Sequence, residues 1–436
     1  MYMLNALKYM YTNTVAYVSI QGDYSDLFTL KAGVLQGAST STLLFMAYTS
    51  DIISVFNTHF AQEMYIHMYH LLLHADDSLI LASTKQLLID KYCAMDNYCS
   101  ANFLYLQPKK CGFICINSNE TSSIALKGGT IKCMDEILYL GSRISCSGRI
   151  NDDIKLEIAS KLKNFNKFYA FINKNENAPM TVKMKVLESC LCSAILYNCE
   201  SWGNGNVKDL EKEYTAVLKY MLGMKTRSCN EFPYVELGLI PLSAIIMKRQ
   251  YRFYKNVISE RDWPLLRHIV RQSRDINTGF INYYDKLIER YKNEDEIIDE
   301  AKRKMKNCIT EKATAGKSRY STFMMINPSL EKSNIYSRID ISAFYLRNVT
   351  RLRTVTHSLA IEVGRYGRNP KPKDQRLCHC NEVETEDHFI LKCPLYEHIR
   401  RKYKVIRTNT LPEVLELDNI AIYINELHDA RAIYTK

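Results

Sequence analysis

The stretch LLLHADDSLIL, residues 71–81, decides the fold of the N-terminal part of the chain. Strand-like apolar runs at 64–73 and 78–82 flank two adjacent carboxylates, Asp76 and Asp77, which predicts a β-hairpin with the carboxylates at its tip. Adjacent carboxylates repel each other unless a cation or strong hydrogen-bond donors offset their charge. The hairpin therefore indicates a divalent-metal site, and Mg²⁺ suits its oxygen ligands. An ordinary turn is the alternative, because aspartate is common in turns.

A glycine-containing loop lies upstream, in the sequence FTLKAGVLQGASTSTLLF at residues 28–45. Gly37 would let a backbone approach a bound ligand closely. Residues 39–41 carry hydroxyl groups at the start of a predicted helix over 42–56, and we expect them to cap it. Free amides and hydroxyls at a helix N-terminus can receive phosphate or sugar groups, so this loop is a candidate ligand-binding element.

In this order, the loop and the hairpin resemble consecutive motifs of the reverse transcriptases of non-LTR retrotransposons, of the kind that also carry an endonuclease. Gln36, Gly37 and Ser41 are similar to the loop and helix with which the family contacts template and incoming nucleotide. Asp76 and Asp77 resemble the catalytic pair of the family. The resemblance implies that these two residues bind Mg²⁺ and carry out nucleotidyl transfer.

Three further segments extend the resemblance. His74 stands where the family usually has Tyr or Phe before the aspartates. In LQPKKCGFI, residues 106–114, Lys110 resembles a lysine that lies near the phosphates of the incoming nucleotide. The predicted turn YLGS at 139–142 resembles the point where the palm of the family leads into a helical thumb. The implied function is RNA-directed DNA polymerisation, with an RNA template, a DNA primer or target and deoxynucleoside triphosphates as partners.

The resemblance also implies a third carboxylate, on a strand some tens of residues before the loop. Asp23 and Asp26 precede the loop too closely to come from a separate strand. We therefore expect an N-terminally truncated palm with an unpaired sheet edge, unable by itself to polymerise at a useful rate. The alternatives are a non-catalytic nucleic-acid-binding remnant and a relic with no biochemical role.

From about residue 150 the apolar residues take up helical spacing, with lysines between them. The apolar positions are Ile154, Ile158, Leu162 and Phe165, and the intervening lysines are Lys155, Lys161, Lys163 and Lys167. A basic face of this kind is either an ordinary solvent-exposed surface or a surface that contacts nucleic acid. The very charged stretch at 280–320 predicts an exposed helix or a mobile connection.

The C-terminal part holds three cysteines and a histidine in a short span, Cys378, Cys380, His388 and Cys393. Thiolate and imidazole are the usual tetrahedral ligands of structural zinc, so this spacing predicts a closed Cys₃His site that stabilises a small unit. Four unlinked residues, or His379 as a competing ligand, are the alternatives. The surrounding sequence resembles the tail of the same retrotransposon proteins, which implies a zinc knuckle that helps hold template RNA or target DNA. The basic run at 365–376 would then contact phosphates.

The composition favours a folded protein with a polyanionic partner. The 436 residues are 47% hydrophobic, and 58 Lys and Arg against 47 Asp and Glu give a net charge of +11. The 14 cysteines, in a chain without a secretory leader, predict a reducing compartment, either nuclear or cytoplasmic. No apolar run reaches the length of a membrane span. The sequence leaves the oligomeric state open.

The predicted fold class is α+β: a partial polymerase palm, then a mainly α-helical thumb and connection region, then a small zinc-binding C-terminal unit. The predicted parts are a partial reverse transcriptase palm at 1–145, a helical thumb-like region at 146–280, a charged helical connection at 281–355 and a Cys/His zinc-knuckle-like region at 356–436.

Overall fold

A computed structural model of the chain describes residues 2–435 except 13, 36, 61–70, 119, 127–128, 260–263, 367–368 and 407. The protein is a mixed structure, 57% helical and 9% strand. It consists of two compact units, residues 1–148 and residues 149–436. Within the described ranges, no helix combines the length and the apolar character needed to cross a membrane.

The first unit alternates short strands with helices. Its described elements are α1 (Tyr2–Thr12), β1 (Val15–Ala16), β2 (Ser19–Ile20), β3 (Asp23–Tyr24), β4 (Phe28–Thr29), α2 (Ser41–Tyr48), α3 (Ile52–His59), β5 (Leu71–His74), β6 (Asp77–Ile80), α4 (Lys85–Ala101), a 3₁₀ turn (Pro108–Lys110), β7 (Gly112–Phe113), β8 (Ile124–Leu126), β9 (Gly129–Cys133), β10 (Glu136–Tyr139) and β11 (Ser142–Ser145).

The strands of this unit form small separate sheets. Antiparallel pairs join β1 to β4, β2 to β3, β5 to β6 and β10 to β11. In the remaining sheet β9 is central, with β7 parallel to it and β8 antiparallel. Among the described residues, β5 and β6 therefore pair only with each other, and the outer edge of each strand carries no ladder partner.

Helices cover one face of the β5–β6 hairpin. Leu71 and Ile80 lie opposite each other in the register and pack against the apolar sides of α3 and α4. The buried residues of this small core are Ile52, Phe56, Met95, Tyr98 and Cys99. The Thr84 hydroxyl accepts a hydrogen bond from the Leu87 amide at 3.2 Å and so caps the N-terminus of α4. This packing fixes the hairpin on one side and leaves its tip free.

Two predictions for the segment before the hairpin are wrong. The expected helix over 42–56 is two helices, α2 and α3, which are interrupted at residues 49–51. The expected cap at 39–41 is absent because Thr40, the N-cap of α2, has helical backbone angles, φ −86° and ψ −16°. A capping side chain needs an extended backbone to reach the free amides. Of the predicted strand at 64–73, residues 64–70 lie outside the described residues.

The second unit is helical. Its described α-helices are α5 (Ile150–Lys174), α6 (Met180–Val186), α7 (Ser193–Ile195), α8 (Lys208–Met221), α9 (Glu231–Leu237), α10 (Leu242–Ser259), α11 (Pro264–Asp275), α12 (Gly279–Arg290), α13 (Glu294–Thr314), α14 (Ser318–Ile326), α15 (Arg347–Arg353), α16 (Ala360–Val363), α17 (Glu397–Lys402), α18 (Leu411–Val414) and α19 (Ile420–Thr435). Two π-helical segments are Leu187–Cys192 and His388–Lys392, and 3₁₀ turns lie at Cys199–Ser201, Asn334–Ser337, Lys373–Gln375 and Pro394–Tyr396.

The predicted amphipathic helix after residue 150 is confirmed as α5. Its apolar positions face the core, with Ile154, Ile158 and Phe165 fully buried. Lys161, expected on the basic surface, is instead buried beside Glu157 at 3.3 Å, with its ammonium 4.6 Å from the centre of the Trp202 ring. A long side chain can place its charge on a partner inside a core, which spacing alone does not show. The three other lysines of that face are not buried.

The charged stretch at 280–320 is not a mobile connection. It forms α12 and the long helix α13, which packs against α10 and α14. Ile297, Met305 and Ile309 of α13 are buried, so this helix is charged on its solvent side only. One continuous hydrophobic core then runs from Ile154 on α5 to Leu427 on α19. The division of this region at 280 and 355 stays a prediction.

A buried ion pair lies inside this core. Arg353 Nε is 2.7 Å from Glu236 Oε2, and the two side chains are 3% and 0% exposed. Asn327 Nδ2 also donates to Glu236 Oε1, at 3.3 Å. Arg353 Nη1 also lies 2.9 Å from Glu416 Oε1, but that side chain is 37% exposed, so removal of Glu236 would leave the buried guanidinium without its buried partner.

We therefore expect Glu236→Ala to lower the free energy of unfolding by about 3–5 kcal/mol, measured by urea denaturation followed by circular dichroism. Glu331→Ala is the matched control, because Glu331 is 67% exposed and pairs at the surface with Lys306. Its loss should change stability by less than about 1 kcal/mol. Equal effects of the two substitutions would contradict the importance of the buried pair.

Candidate active site and metal centre

The β5–β6 hairpin carries the adjacent aspartates at its tip. His74 pairs with Asp77, so Ala75 and Asp76 form the turn. Ala75 has a φ of 53°, a left-handed conformation that is uncommon for alanine but is required at the first position of a two-residue hairpin turn. Asp76 and Asp77 are both exposed. The predicted hairpin is confirmed, and its two carboxylates offer oxygen ligands of the kind that a divalent cation such as Mg²⁺ binds.

Tyr139 lies against the aspartate hairpin. It ends β10, and Leu140 and Gly141, with φ of 48° and 79°, form the turn into β11. The Tyr139 hydroxyl donates to the Leu72 carbonyl of β5 at 3.5 Å. Burial, together with the nearby negative charge of Asp77, raises the pKa of Tyr139. The predicted YLGS turn is therefore part of the same site, a contact that sequence reasoning missed because it joins distant segments.

The loop before α2 holds its shape through Ser41. The Ser41 hydroxyl is buried and donates to the Leu35 carbonyl at 2.5 Å. Gly37 has a φ of 83°, where a side chain would be strained, although the space around it is open. Gln36 lies outside the described residues. The structure thus presents Gly37 as an accessible backbone position and gives the Ser41 hydroxyl a partner within the loop.

Lys110 ends the 3₁₀ turn that leads into β7. Its side chain is exposed, and Pro108 and Lys109 precede it in the turn. Within the described part of the chain, Lys110 makes no hydrogen bond or ion pair with Asp76 or Asp77. The structure therefore leaves the Lys110 ammonium available to a ligand without bringing it onto the hairpin.

The four predicted zinc ligands come together in the second unit. Every pair among the ligand atoms of Cys378, Cys380, His388 and Cys393 lies within 4.8 Å. Cys393 Sγ is 3.7 Å from Cys378 Sγ and 3.8 Å from Cys380 Sγ. Around zinc, Zn–S bonds of about 2.3 Å in tetrahedral geometry separate two sulfurs by about 3.8 Å. The measured separations match this geometry, so the residues fit a tetrahedral zinc ion.

A tight turn presents the first two cysteines. Leu377 and Val383 pair as an antiparallel bridge, and the Cys378 amide donates to the Glu382 carbonyl at 2.7 Å. Asn381 follows the second cysteine with a φ of 69°, the left-handed conformation that asparagine tolerates better than most residues. The turn brings both thiols to one side, even though the C-x-C spacing is short.

A π-helical turn presents the other two ligands. The Cys393 amide donates to the His388 carbonyl at 2.7 Å, a hydrogen bond that spans five residues instead of four. In a regular α-helix, residues five apart point in different directions, because one turn takes 3.6 residues. The wider turn stacks Cys393 over His388, so both side chains face the same point.

The imidazole of His388 is oriented from both sides. Its Nε2 faces the Cys380 sulfur at 3.2 Å, and its Nδ1 lies 3.0 Å from Glu382 Oε2. A proton on Nδ1 directed at Glu382 leaves the Nε2 lone pair for a metal, an arrangement common around zinc. Glu382 was not predicted, since only the folded turn brings it to His388. His379 instead stacks on Tyr434, with ring centres 6.1 Å apart, which removes it as a competing ligand.

The protonation chemistry of the cluster fits a cation. Burial raises the pKa of the Cys378 and Cys393 thiols, so thiolates there need a positive charge beside them. Burial lowers the pKa of His388, which favours the neutral imidazole that binds metal. A bound zinc ion would supply the charge that the thiolates need and would hold the turn to the helix.

The basic run at 365–376 is partly engaged within the chain. Arg376 donates to the carbonyls of Lys371 and Ile361, at 2.9 and 3.0 Å, and Arg365 lies 3.2 Å from the Glu362 carboxylate. Residues 367–368 lie outside the described residues. The exposed lysines of the run, Lys371 among them, remain the groups that could meet a phosphate.

The hairpin thus presents two adjacent exposed carboxylates, after a glycine-containing loop and a helix, and carboxylate oxygens of this kind are ligands for a divalent cation. Residues 3–144 match the family model described as reverse transcriptase (RNA-dependent DNA polymerase). The chain therefore carries a reverse transcriptase domain, and the match includes the loop, the aspartate pair and Lys110. No curated protein matches the chain.

Proposed function

We propose that this protein is an RNA-directed DNA polymerase of the non-LTR retrotransposon type, in which Asp76 and Asp77 bind Mg²⁺. The observation that supports the proposal is the reverse transcriptase match over 3–144, a range that includes the exposed carboxylates of the β5–β6 hairpin. When bound, the metal would neutralise charge on the triphosphate and activate the attacking 3′ oxygen. The two aspartates would supply their carboxylate oxygens as metal ligands, positioned by a rigid turn.

The substrates follow from the same domain: an RNA template, a DNA primer and deoxynucleoside triphosphates. We assign Gln36 and Gly37 to contact with template and nucleotide, through the open backbone at Gly37. Ser41 would act by holding the loop, since its hydroxyl is already bonded to Leu35. Lys110 would meet the triphosphate, because its ammonium is exposed and without an ion-pair partner on the hairpin.

We further propose that residues 1–436 do not polymerise at a useful rate without a further carboxylate. Nucleotidyl transfer with two metal ions needs ligands from more than one strand to bridge them. Asp23 lies in β3, which pairs with β2 in a separate small hairpin, and Asp26 lies two residues after the end of β3. The expectation that neither residue comes from a separate strand is thus wrong for Asp23, but its strand pairs with β2 and not with β5 or β6, so we infer that it does not supply the further carboxylate.

Primer extension on an RNA template with Mg²⁺ tests both proposals. This chain is compared with a version that is extended upstream in the same reading frame, and both use a DNA primer annealed to RNA. We expect extension by the longer form only. Extension by residues 1–436 alone would overturn the proposed inactivity while supporting the polymerase. Failure of both forms would count against the polymerase itself.

A nucleic-acid-binding protein without polymerase activity is the second candidate. The Cys₃His cluster, with its tetrahedral distances, and the net charge of +11 favour it. We propose that zinc holds this tail as a knuckle that contacts template RNA or target DNA. Binding that weakens steeply with salt, in protein that never extends a primer, would support this second function.

A further inference from the structure

A basic cavity of about 480 Å³ lies within the second unit, where the ends of α5 and α8 meet α6 and α15. Three cationic side chains line it, Lys183, Arg347 and Arg351, together with the single carboxylate of Glu176. The charge facing the cavity is therefore positive. The reverse transcriptase match ends at residue 144, so none of these residues lies in the matched range.

Long-range backbone contacts bring the cations together. Pro179, at the start of α6, forms an antiparallel bridge with Ser342, and the Ala343 amide donates to the Ala178 carbonyl at 3.3 Å. These contacts place the turn before α6 beside the segment that leads into α15. Lys183 on α6 and Arg347 on α15 consequently face the same space.

Backbone carbonyls, rather than carboxylates, hold the two inner cations. Lys183 is 3% exposed, and its ammonium donates to the Glu176 carbonyl at 2.9 Å. Arg351 Nε donates to the Gly223 carbonyl at 3.0 Å. A carbonyl accepts a hydrogen bond but leaves the positive charge uncompensated. Burial, with repulsion from Arg347, lowers the pKa of both Lys183 and Arg351, as expected for like charges collected at one site.

Arg347 has the only ion pair recorded for the three described cations, and that pair is weak. Its guanidinium is 2.7 Å from Glu176 Oε1, but the side chains are 39% and 47% exposed. Exposed pairs of this kind contribute little to stability, so the Glu176 carboxylate holds Arg347 only weakly. Gly223 leaves room for the Arg347 side chain, because a Cβ at that position would lie 2.7 Å from Arg347 Cγ.

An aromatic side chain stands beside the cations. Tyr220 lines this cavity and also a neighbouring cavity of about 750 Å³, which is lined by the exposed Lys208 and Lys212 and also by the buried Lys219 and the Glu211 carboxylate. The Tyr220 ring is 45% exposed. Cationic groups on both sides of an exposed ring are the arrangement with which proteins hold single-stranded nucleic acid, through phosphate contacts and base stacking.

We propose that this cavity binds a backbone phosphate of single-stranded nucleic acid through Lys183, Arg347 and Arg351, with the neighbouring base on Tyr220. The choice of nucleic acid as the ligand rests on the proposed function, whereas the cationic cavity itself does not. The site requires no polymerisation, so a binding experiment tests it separately from the aspartate hairpin.

The test uses the whole chain and a fluorescently labelled single-stranded oligonucleotide, with anisotropy measured over a range of salt concentrations. Arg347→Gln should bind about fivefold more weakly, and its slope of log affinity against log salt should be shallower by about 0.7, the value for one lost phosphate contact. Glu176→Gln should bind more tightly, because a competing carboxylate is gone. That gain could not arise from misfolding.

Arg252→Gln is the matched control, since Arg252 is an exposed arginine paired with Glu294 outside the cavity, and its loss changes the net charge equally. If Arg347→Gln and Glu176→Gln both bind like Arg252→Gln, the proposal is overturned. Inorganic phosphate that binds in an Arg347-dependent way, with no effect of Arg347→Gln on the oligonucleotide, would show a free-anion site and also overturn it.

Discussion

Cys393→Ser is expected to abolish zinc binding and to unfold the C-terminal tail around it. The Cys393 sulfur contacts both other thiols of the cluster, at 3.7 and 3.8 Å, so its loss opens the tetrahedron on two edges. Structural zinc sites contribute about 10–16 kcal/mol of apparent binding energy in small units, so loss of even part of this would exceed most single substitutions. Zinc per chain, measured by mass spectrometry after gel filtration, should fall from near one to near zero.

The control for this substitution is Cys190→Ser, an exposed cysteine in the π-helical segment at 187–192 of the same unit. It should keep its zinc and its thermal midpoint. Retention of one zinc by both Cys393→Ser and Cys380→Ser, with unchanged thermal unfolding, would refute the metal centre. Loss of zinc from Cys190→Ser would instead show that the cluster responds to any change in this unit.

Asp76→Asn is expected to lower the rate of primer extension by about a thousandfold, in whichever form of the protein polymerises. The amide keeps the size of the carboxylate but loses the charge that binds the metal, and stabilisation by a catalytic metal is worth several kcal/mol. Binding of the primer and template should not weaken, because the two aspartates repel phosphate. Single-turnover extension at saturating nucleotide measures this rate.

Asp26→Asn makes the same chemical change at an exposed aspartate next to β3 and is the matched control. Its rate should equal that of the unchanged protein. Equal losses in the two variants would mean that net charge, rather than metal binding at the hairpin, governs the reaction. Undiminished extension by Asp76→Asn would remove the hairpin from the mechanism.

Local patterns predicted the parts of the fold that depend on neighbouring residues. The β5–β6 hairpin followed from apolar runs on either side of Asp76, and α5 followed from the three- and four-residue spacing of Ile154 and its successors. The four predicted zinc ligands, which the structure brings together, could be chosen from the sequence because cysteine and histidine are the usual ligands of structural zinc. These residues are close in sequence and also close in the folded chain, since only a turn and a short helical segment separate them.

The sequence patterns could not predict contacts between segments that are distant in the chain. Lys161 was expected at the surface. It is buried because the Glu157 carboxylate and the Trp202 ring lie beside its ammonium and stabilise the charge. The charged helix α13 packs into the core through a few buried apolar residues, which the high overall charge of the segment does not reveal. The cationic cavity joins Lys183 to Arg347, which are far apart in sequence and meet through one bridge and one hydrogen bond.

The π-helical turn at 388–392 has a consequence for how such tails are recognised in other sequences. The wider turn places the His388 and Cys393 side chains on the same side with four residues between them. In a regular α-helix, two side chains on the same side are separated by three residues. Insertion of one residue between the two ligands can thus be absorbed as a local widening, without rotating the rest of the helix. Searches for this kind of metal centre should accept histidine and cysteine separated by either three or four residues.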